Sequence, residues 1–187
     1  EAASQVLAKL GCHVVVPEPI DKRRNLCCGK TFLASGLPEQ ARSEAERLVA
    51  TYLPYLETGH TVVGLEPSCT LALIDEVPSL LKTEASKQLA ANVRLFAEIV
   101  DELLTDDNKR KLLASVGSET ALVHGHCHEK AFAKADKTLA VLSKIPDLTS
   151  EMIESSCCGM AGAFGYHKDT IEASKAMGEL SLLPKVR

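Results

Sequence analysis

Short runs of β-branched and apolar residues alternate along the chain with longer segments whose apolar positions recur at helical spacing. A β-branched run that stops at a proline, or gives way to a polar segment, is typical of a buried strand. The predicted strands are CHVVVPE (12–18), HTVVGLEPSC (60–69), the start of TALVHGHCHEKAF (120–132) and LTSEMIESSCCG (148–159).

The longer segments have one apolar face each and predict helices. They cover residues 1–11, 35–56, 86–104 and 169–187. Pro38 lies in the first turn of the second helix, and Pro184 ends the last. Ser68 is placed to cap a helix near Thr70, and another helix begins around Glu129. Strands that alternate with helices across crossover-length connections predict an α/β fold with mainly parallel sheets.

The composition is that of an ordinary folded protein. Apolar residues make up 45% and charged residues 25% of the 187 residues, and the formal net charge is −4. This charge excludes a general attraction to nucleic acid or anionic lipid. No stretch approaches the roughly 20 apolar residues of a membrane-spanning helix, so no transmembrane segment is predicted. Seven cysteines, an odd number without secretory features, favour a reducing cytosolic setting and a role as metal ligands or reactive thiols.

The triplet Cys-Cys-Gly (CCG) occurs twice, in NLCCGK (25–30) and SSCCGM (155–160). Both parts of the chain share the order of strand, CCG, helix, strand and cysteine, which predicts an internal duplication into halves 1–115 and 116–187. The extra cysteine lies on different sides of the triplet in the two halves: Cys69 follows the first CCG, whereas Cys127 precedes the second. Each half thus lacks one cysteine-bearing element, and we expect the chain to be a fragment of a longer protein.

Adjacent cysteines on regular backbone point to opposite sides, so they fit poorly into two corners of one tetrahedral zinc site. They suit an iron–sulfur cluster when a glycine lets the chain turn and brings N–H groups near the sulfurs. Gly29 and Gly159 are the expected cofactor-binding turns. Because parallel strands end at one edge of a sheet, we expect two sets of metal ligands there. They are Cys27, Cys28 and Cys69, and Cys127, Cys157 and Cys158.

Simpler interpretations of these residues stay open. Each cysteine is also consistent with a buried or incidental thiol. The segment HGHCHEK adds His126 and His128 beside Cys127, either as further metal ligands or as residues that cap and hydrogen-bond the same edge. No pattern of a hydrolytic triad, a zinc protease or paired carboxylates assigns a catalytic residue.

NLCCGKTFLASG with EPSC, and HGHCHEKA with SSCCGMAGAFGYHKD, resemble the motifs of the cysteine-rich CCG-domain family over nearly the whole chain. That family includes the B subunit of heterodisulfide reductase and the iron–sulfur subunits of glycolate oxidase and anaerobic glycerol-3-phosphate dehydrogenase. HCHEKAF with CCGMAGAFGY is most similar to the C-terminal iron–sulfur region of fused FAD-linked D-2-hydroxyacid dehydrogenases, of the D-lactate or D-2-hydroxyglutarate type. In this family each motif has a cysteine, then CCG, then a final cysteine or a C-x2-C pair. The chain departs from the paired form at Cys69, because the next residues are Thr-Leu-Ala and no second cysteine follows.

The resemblance implies part of an oxidoreductase that passes electrons from a flavin to a quinone or another acceptor. It implies an iron–sulfur cluster of the 4Fe-4S type on the two cysteine sets, zinc as a substitute in the fragment, and FAD on another domain. FAD-binding and ferredoxin-like domains of the same or a partner chain are the implied partners. It also implies a cytoplasmic location, peripheral on the inner face of the membrane, and an inactive isolated fragment. Two alternatives remain: thiol–disulfide catalysis at the vicinal cysteines, and a zinc-stabilised docking module without catalysis.

Overall fold

The computed structural model describes residues 1–22, 24–155 and 157–187, without the side chains of Lys109 and Arg110. The chain forms two compact units, Glu1–Leu104 and Thr105–Arg187. Each unit contains helices and a two-stranded parallel sheet. This confirms the α/β class and the parallel sheets predicted from the alternation of short and long segments.

The first unit is mostly helical, with one pair of short strands. Its helices are α1 (Ala2–Lys9), α2 (Lys30–Ala34), α3 (Pro38–Glu57), α4 (Pro67–Ile74), α5 (Glu76–Leu81), α6 (Glu84–Asn92) and α7 (Phe96–Leu103). Its strands are β1 (Val62–Gly64) and β2 (Val93–Leu95). Val62 pairs with Val93 and Gly64 with Leu95.

The core of the first unit is built around one face of α3. Ala45, Leu48, Val49 and Leu56 of this helix are buried together with side chains from α4, α5, α6 and β2. Leu89 of α6 is fully buried in the same cluster. Helix α3 begins at Pro38, about three residues after the predicted start at 35, and Pro38 lies in its first turn as predicted, because a proline there loses no intrahelical hydrogen bond.

The second unit has a longer pair of strands and less apolar burial. Its helices are α8 (Asp106–Leu112), α9 (Cys127–Ala131), α10 (Asp136–Leu142), α11 (Ile171–Glu179) and α12 (Leu182–Val186), with a 3-10 turn at Phe164–Tyr166. Its strands β3 (Glu119–Val123) and β4 (Leu148–Met152) pair in register from Glu119 and Leu148 to Val123 and Met152. Within the described part of this unit, Ile153 is the one hydrophobic side chain that is buried.

Two of the predicted elements are wrong. Residues 12–18 form no strand, because the run finds no strand to pair with among the described residues, and Val15 and Val16 are exposed. The predicted single helix 86–104 is interrupted at β2, where Val93 and Leu95 are buried and Arg94 is exposed. Pairing with β1 therefore overrides the helical spacing of the apolar positions.

Several predicted helix boundaries also shift. Glu66, rather than Ser68, caps α4, because its carboxylate can accept from two N–H groups of the first turn at once. Helix α9 begins at Cys127, two residues before the predicted start. The last long helix ends at Glu179, and Pro184 lies inside the short helix α12, where a first-turn proline is tolerated. No helix in the described ranges has both the length and the apolar character needed to cross a bilayer.

Candidate metal centre

The first CCG triplet forms a tight turn that only glycine can complete. Gly29 has a φ of 80°, and its N–H donates to the Cys27 Sγ at 3.4 Å. A Cβ on Gly29 would lie 2.9 Å from the backbone oxygen of Ala41 in α3. Both the left-handed conformation and the close approach to α3 therefore require glycine.

Cys28 and Cys69 are in direct contact, although 41 positions separate them in the chain. The Cys28 thiol donates to the Cys69 Sγ at 3.2 Å, and Cys28 also packs against the core of the first unit. This separation lies between the ~2.05 Å of a disulfide and the roughly 3.8 Å between two thiolates on tetrahedral zinc with Zn–S bonds of about 2.3 Å. The two sulfurs can thus share a metal or a bond after a small movement.

Cys69 lies in the first turn of α4, directly after β1. The Glu66 carboxylate accepts the N–H groups of Ser68 at 2.9 Å and Cys69 at 2.5 Å. Burial of the thiol, followed by its contact with Cys28 and with Glu66, raises the pKa of Cys69 above its ordinary value. The metal-free Cys69 is therefore held in the thiol form, and a bound metal ion would have to displace its proton.

The second CCG triplet repeats the geometry of the first. Gly159 has a φ of 87°, and its N–H donates to the Cys157 Sγ at 3.3 Å. A Cβ on Gly159 would lie 2.1 Å from the backbone oxygen of Ser174 in α11. Each triplet is thus a turn closed onto its first cysteine and pressed against a following helix.

Cys127 is exposed at the start of α9, after β3, and two histidines flank it. The N–H of His128 donates to the His126 Nδ1 at 3.2 Å, and the two rings stack with centroids 5.3 Å apart. The Glu129 carboxylate accepts the N–H of His126 at 3.0 Å. The Nδ1 atom of His126 therefore caps the helix, so that Nε2 is the ring atom of this residue that could ligate a metal.

The structure brings part of the first predicted ligand set together. Cys28 and Cys69 touch, and Cys27 adjoins them through the turn. In the second unit, no two of the thiols of Cys127, Cys157 and Cys158 come within hydrogen-bonding distance, as far as the described residues show. Over the same part of the chain, no group of three His, Cys, Asp or Glu side chains is arranged to hold a metal ion.

An ion-pair cluster beside the first CCG was not predicted from the sequence. Arg47 of α3 lies 3.1 Å from the Glu44 carboxylate and 3.3 Å from that of Asp21, and Arg24 also pairs with Glu44. The hydrogen bond from Arg24, and then that from Arg47, lowers the pKa of the buried Glu44. In the sequence, the acidic and basic residues of α3 resemble an ordinary solvent-exposed helix face. The one pattern that indicates the ion-pair cluster is the i, i+3 spacing of Glu44 and Arg47.

A second basic residue that the sequence did not single out lies beside the other CCG. Lys130 Nζ donates to the backbone carbonyl of Ser155 at 2.7 Å. The Nδ1 atom of His124 lies 2.6 Å from the Ser155 Oγ. Burial, and then the charge of Lys130, lowers the pKa of His124. The Ser-Ser pair before the triplet gave no signal of these contacts.

The donor chemistry of both turns fits an iron–sulfur centre. Cysteine sulfurs are the protein ligands of such centres, and N–H groups directed at those sulfurs help to set the potential. Gly29 and Gly159 each provide such a donor. The thiols are partly buried or exposed, so a cofactor could reach them.

The fold and the two turns define an α/β protein whose two CCG triplets have the same turn geometry. The profile of the Cysteine-rich (CCG) domain matches residues 1–74 and 121–182, and the chain belongs to that family. Each matched segment contains one complete triplet and the cysteine that accompanies it. The family resemblance expected from the motifs is thereby confirmed.

Two named relatives are components of dehydrogenases. The chain is 30% identical over 153 residues to the C subunit of anaerobic glycerol-3-phosphate dehydrogenase from Escherichia coli (strain K12), covering 81% of this chain and 38% of the relative. It is 30% identical over 124 residues to D-2-hydroxyglutarate dehydrogenase of the same strain, covering 66% of this chain and 12% of the relative. The chain thus spans well under half the length of these relatives. No solved structure matches it.

Proposed function

We propose that the chain is an iron–sulfur electron-transfer region of an FAD-linked D-2-hydroxyacid dehydrogenase. The observation that carries this proposal is the double occurrence of one turn, in which a glycine N–H donates to the first cysteine of a CCG triplet. A merely structural pair of thiols does not require the same backbone donor twice. Hydrogen bonds to cysteine sulfur are a recognised means of tuning iron–sulfur potentials.

Cys27, Cys28 and Cys69 would hold the centre of the first unit, and Cys127, Cys157 and Cys158 that of the second, with His126 or His128 as further ligands. A bound 4Fe-4S-type cluster would supply reversible one-electron transfer. The chain's own part is to present thiolates and N–H donors and to pack Cys28 against an apolar core. Zinc would accept the same thiolates in a chain handled in air.

The relatives support a place for this region in a longer enzyme. One relative is a subunit of a glycerol-3-phosphate dehydrogenase and the other is a D-2-hydroxyglutarate dehydrogenase, and both are much longer than this chain. Substrate oxidation at FAD would take place on another domain of the same or a partner chain, with a ferredoxin-like domain between. A quinone or another acceptor would receive the electrons, on the cytoplasmic side of the membrane.

The test is anaerobic reconstitution of the chain with ferrous iron and sulfide, followed by iron analysis and low-temperature EPR. We expect bound iron and sulfide with a redox-active signal. The double variant Cys157→Ser/Cys158→Ser should lose the contribution of the second centre. Cys12→Ser, which removes a thiol outside both sets, is the matched control and should keep the signal. Absence of any cluster in the parent chain and in the intact anaerobic enzyme would refute the proposal.

The contact between Cys28 and Cys69 favours a second candidate function, thiol–disulfide exchange. In that reaction the two thiols would lose two electrons and two protons to form a disulfide, and a small disulfide substrate would be reduced to two thiols. Turnover with such a substrate, lost in Cys69→Ser, would favour this function over cluster-based electron transfer. Stoichiometric zinc that raises the Tm without a redox signal would favour a docking module.

A further inference from the structure

A basic side chain reaches the same backbone position in front of each CCG triplet. Arg47 Nη2 donates to the carbonyl of Asn25 at 2.5 Å, and Lys130 Nζ donates to the carbonyl of Ser155 at 2.7 Å. Each carbonyl belongs to the residue two positions before the first cysteine of its triplet. The donors differ in kind: one is an arginine of α3, which follows its triplet in the sequence, and the other is a lysine of α9, which precedes its triplet. The shared contact is therefore not explained by a repeated sequence motif.

In the first unit, α3 holds the turn at both ends. Arg47 also donates to the carbonyl of Arg24 at 2.9 Å, so its guanidinium fixes two successive peptide groups ahead of the cysteines. Its side chain is only 11% exposed and is oriented by the Glu44 carboxylate. The backbone of Ala41, earlier on the same helix, lies against Gly29 after the cysteines. A planar guanidinium with several donors is suited to such a fixed contact.

In the second unit, the lysine joins two cysteine-bearing segments. Lys130 and Cys127 lie three positions apart on α9, and the lysine amine contacts the segment that leads into Cys157. Cys157 is two positions after Ser155, and two residues of extended chain span at most about 7 Å. This hydrogen bond therefore keeps the second CCG near the C-terminal end of α9, where Lys130 lies. Loss of the bond would free the approach to the triplet while leaving every cysteine in place.

We propose that Arg47 and Lys130 are positioning residues that hold the two CCG turns in the conformation that presents their thiols to a metal. The metal-binding part of this inference rests on the proposed function, whereas the effect on the turns is a property of the metal-free chain. Residues that orient metal ligands without binding the metal themselves typically contribute 10- to 100-fold to metal affinity. We expect loss of either basic side chain to lower metal affinity by about this factor.

The experiment uses the whole chain with matched variants of one lysine. Lys130→Met keeps the aliphatic stem and removes the donor, whereas Lys130→Arg restores a cationic donor. Lys175→Met removes a lysine of the same unit that pairs with the exposed Glu172, and is the control. Hydrogen exchange of the Gly159 amide reports the turn without metal. The thiolate-to-metal absorption of added Co²⁺ reports how well the thiols are presented.

We expect the Gly159 amide hydrogen to exchange about tenfold faster in Lys130→Met. The hydrogen bond from Lys130 to the Ser155 carbonyl resists local opening, and without it opening becomes easier. Co²⁺ affinity should fall by about 10- to 100-fold. Lys130→Arg should recover most of both losses, and Lys175→Met should match the parent chain. The parallel comparison for the first unit is Arg47→Met against Arg42→Met, another arginine of α3, with the Gly29 amide as reporter.

The outcomes separate this inference from the proposed function. Unchanged amide exchange and Co²⁺ binding in Lys130→Met and Arg47→Met would overturn it. A lower Tm that Lys130→Arg does not repair, with exchange at Gly159 no faster than elsewhere in the unit, would overturn it as well. If the parent chain takes up no iron–sulfur cluster, but Gly159 still opens selectively in Lys130→Met, the proposed function fails and the positioning role stands.

Discussion

Substitution of Gly29 by alanine tests whether the first CCG turn is built as described. The new Cβ would lie 2.9 Å from the backbone oxygen of Ala41, in a residue whose φ is 80°. The left-handed conformation costs alanine about 1–2 kcal/mol. Displacing backbone in a packed site adds about 1–3 kcal/mol. Gly36→Ala has a similar φ of 72° and open space around the Cβ, so this variant measures the cost of the left-handed conformation alone.

The assay is urea unfolding followed by far-UV circular dichroism, with the slope of the transition compared among variants. We expect Gly36→Ala to lower the free energy of unfolding by about 1–2 kcal/mol, and Gly29→Ala by about 1–3 kcal/mol more. Metal uptake by the first unit should fall only in Gly29→Ala, because the N–H donated to Cys27 is displaced with the turn. Equal losses in the two variants at equal slopes would refute the close contact with α3.

Three further predictions address the first unit. Glu44, whose pKa is lowered by its arginine partners, stabilises the fold above the unfolded-state pKa of about 4.3 and loses this effect as the pH falls through its folded-state pKa. Glu44→Gln should therefore lower the Tm at neutral pH, with a gap to the parent that closes in acid; a gap that widens in acid would contradict this. In the metal-free chain, oxidised glutathione should link Cys28 to Cys69, as peptide mapping without reduction would show, because the sulfurs need to approach by only about 1 Å. Recovery of both as separate mixed disulfides would argue against the contact. Leu89→Ala, at a fully buried position, should lower the free energy of unfolding by about 2–5 kcal/mol in urea. Leu65→Ala, at an exposed position, should change it by less than about 0.5 kcal/mol, and equal effects would place the core elsewhere.

Local patterns predicted the elements that depend mainly on local interactions. Helix α3 follows from its first-turn proline and its apolar face, and β4 from its short run before the second CCG. The interruption of the helical pattern at Val93 was not predictable, because its cause is pairing with Val62, 31 positions away. The run at residues 12–18 fails as a strand for the same reason, since β-branched residues do not specify which neighbour completes the hydrogen-bonded ladder.

The cysteine positions followed from the sequence more readily than their surroundings. Cys69 and Cys127 lie just after a parallel strand, as the alternation of elements predicted. The contacts of Arg47 and Lys130 with backbone carbonyls could not be predicted, because carbonyls carry no residue signature and the donors lie at different sequence distances from their triplets. Side-chain contacts to backbone are common in folded proteins and leave little trace in a single sequence.

The contact of each CCG glycine with a helix backbone has a consequence for how such repeats diverge. Ala41 and Ser174, whose backbone oxygens face Gly29 and Gly159, are both small and buried. A repeat that loses its cysteines through drift would still need a glycine against a small helical residue in order to fold. We therefore expect this pair to be retained among relatives, and to mark degenerate copies of the repeat in which the thiols have disappeared.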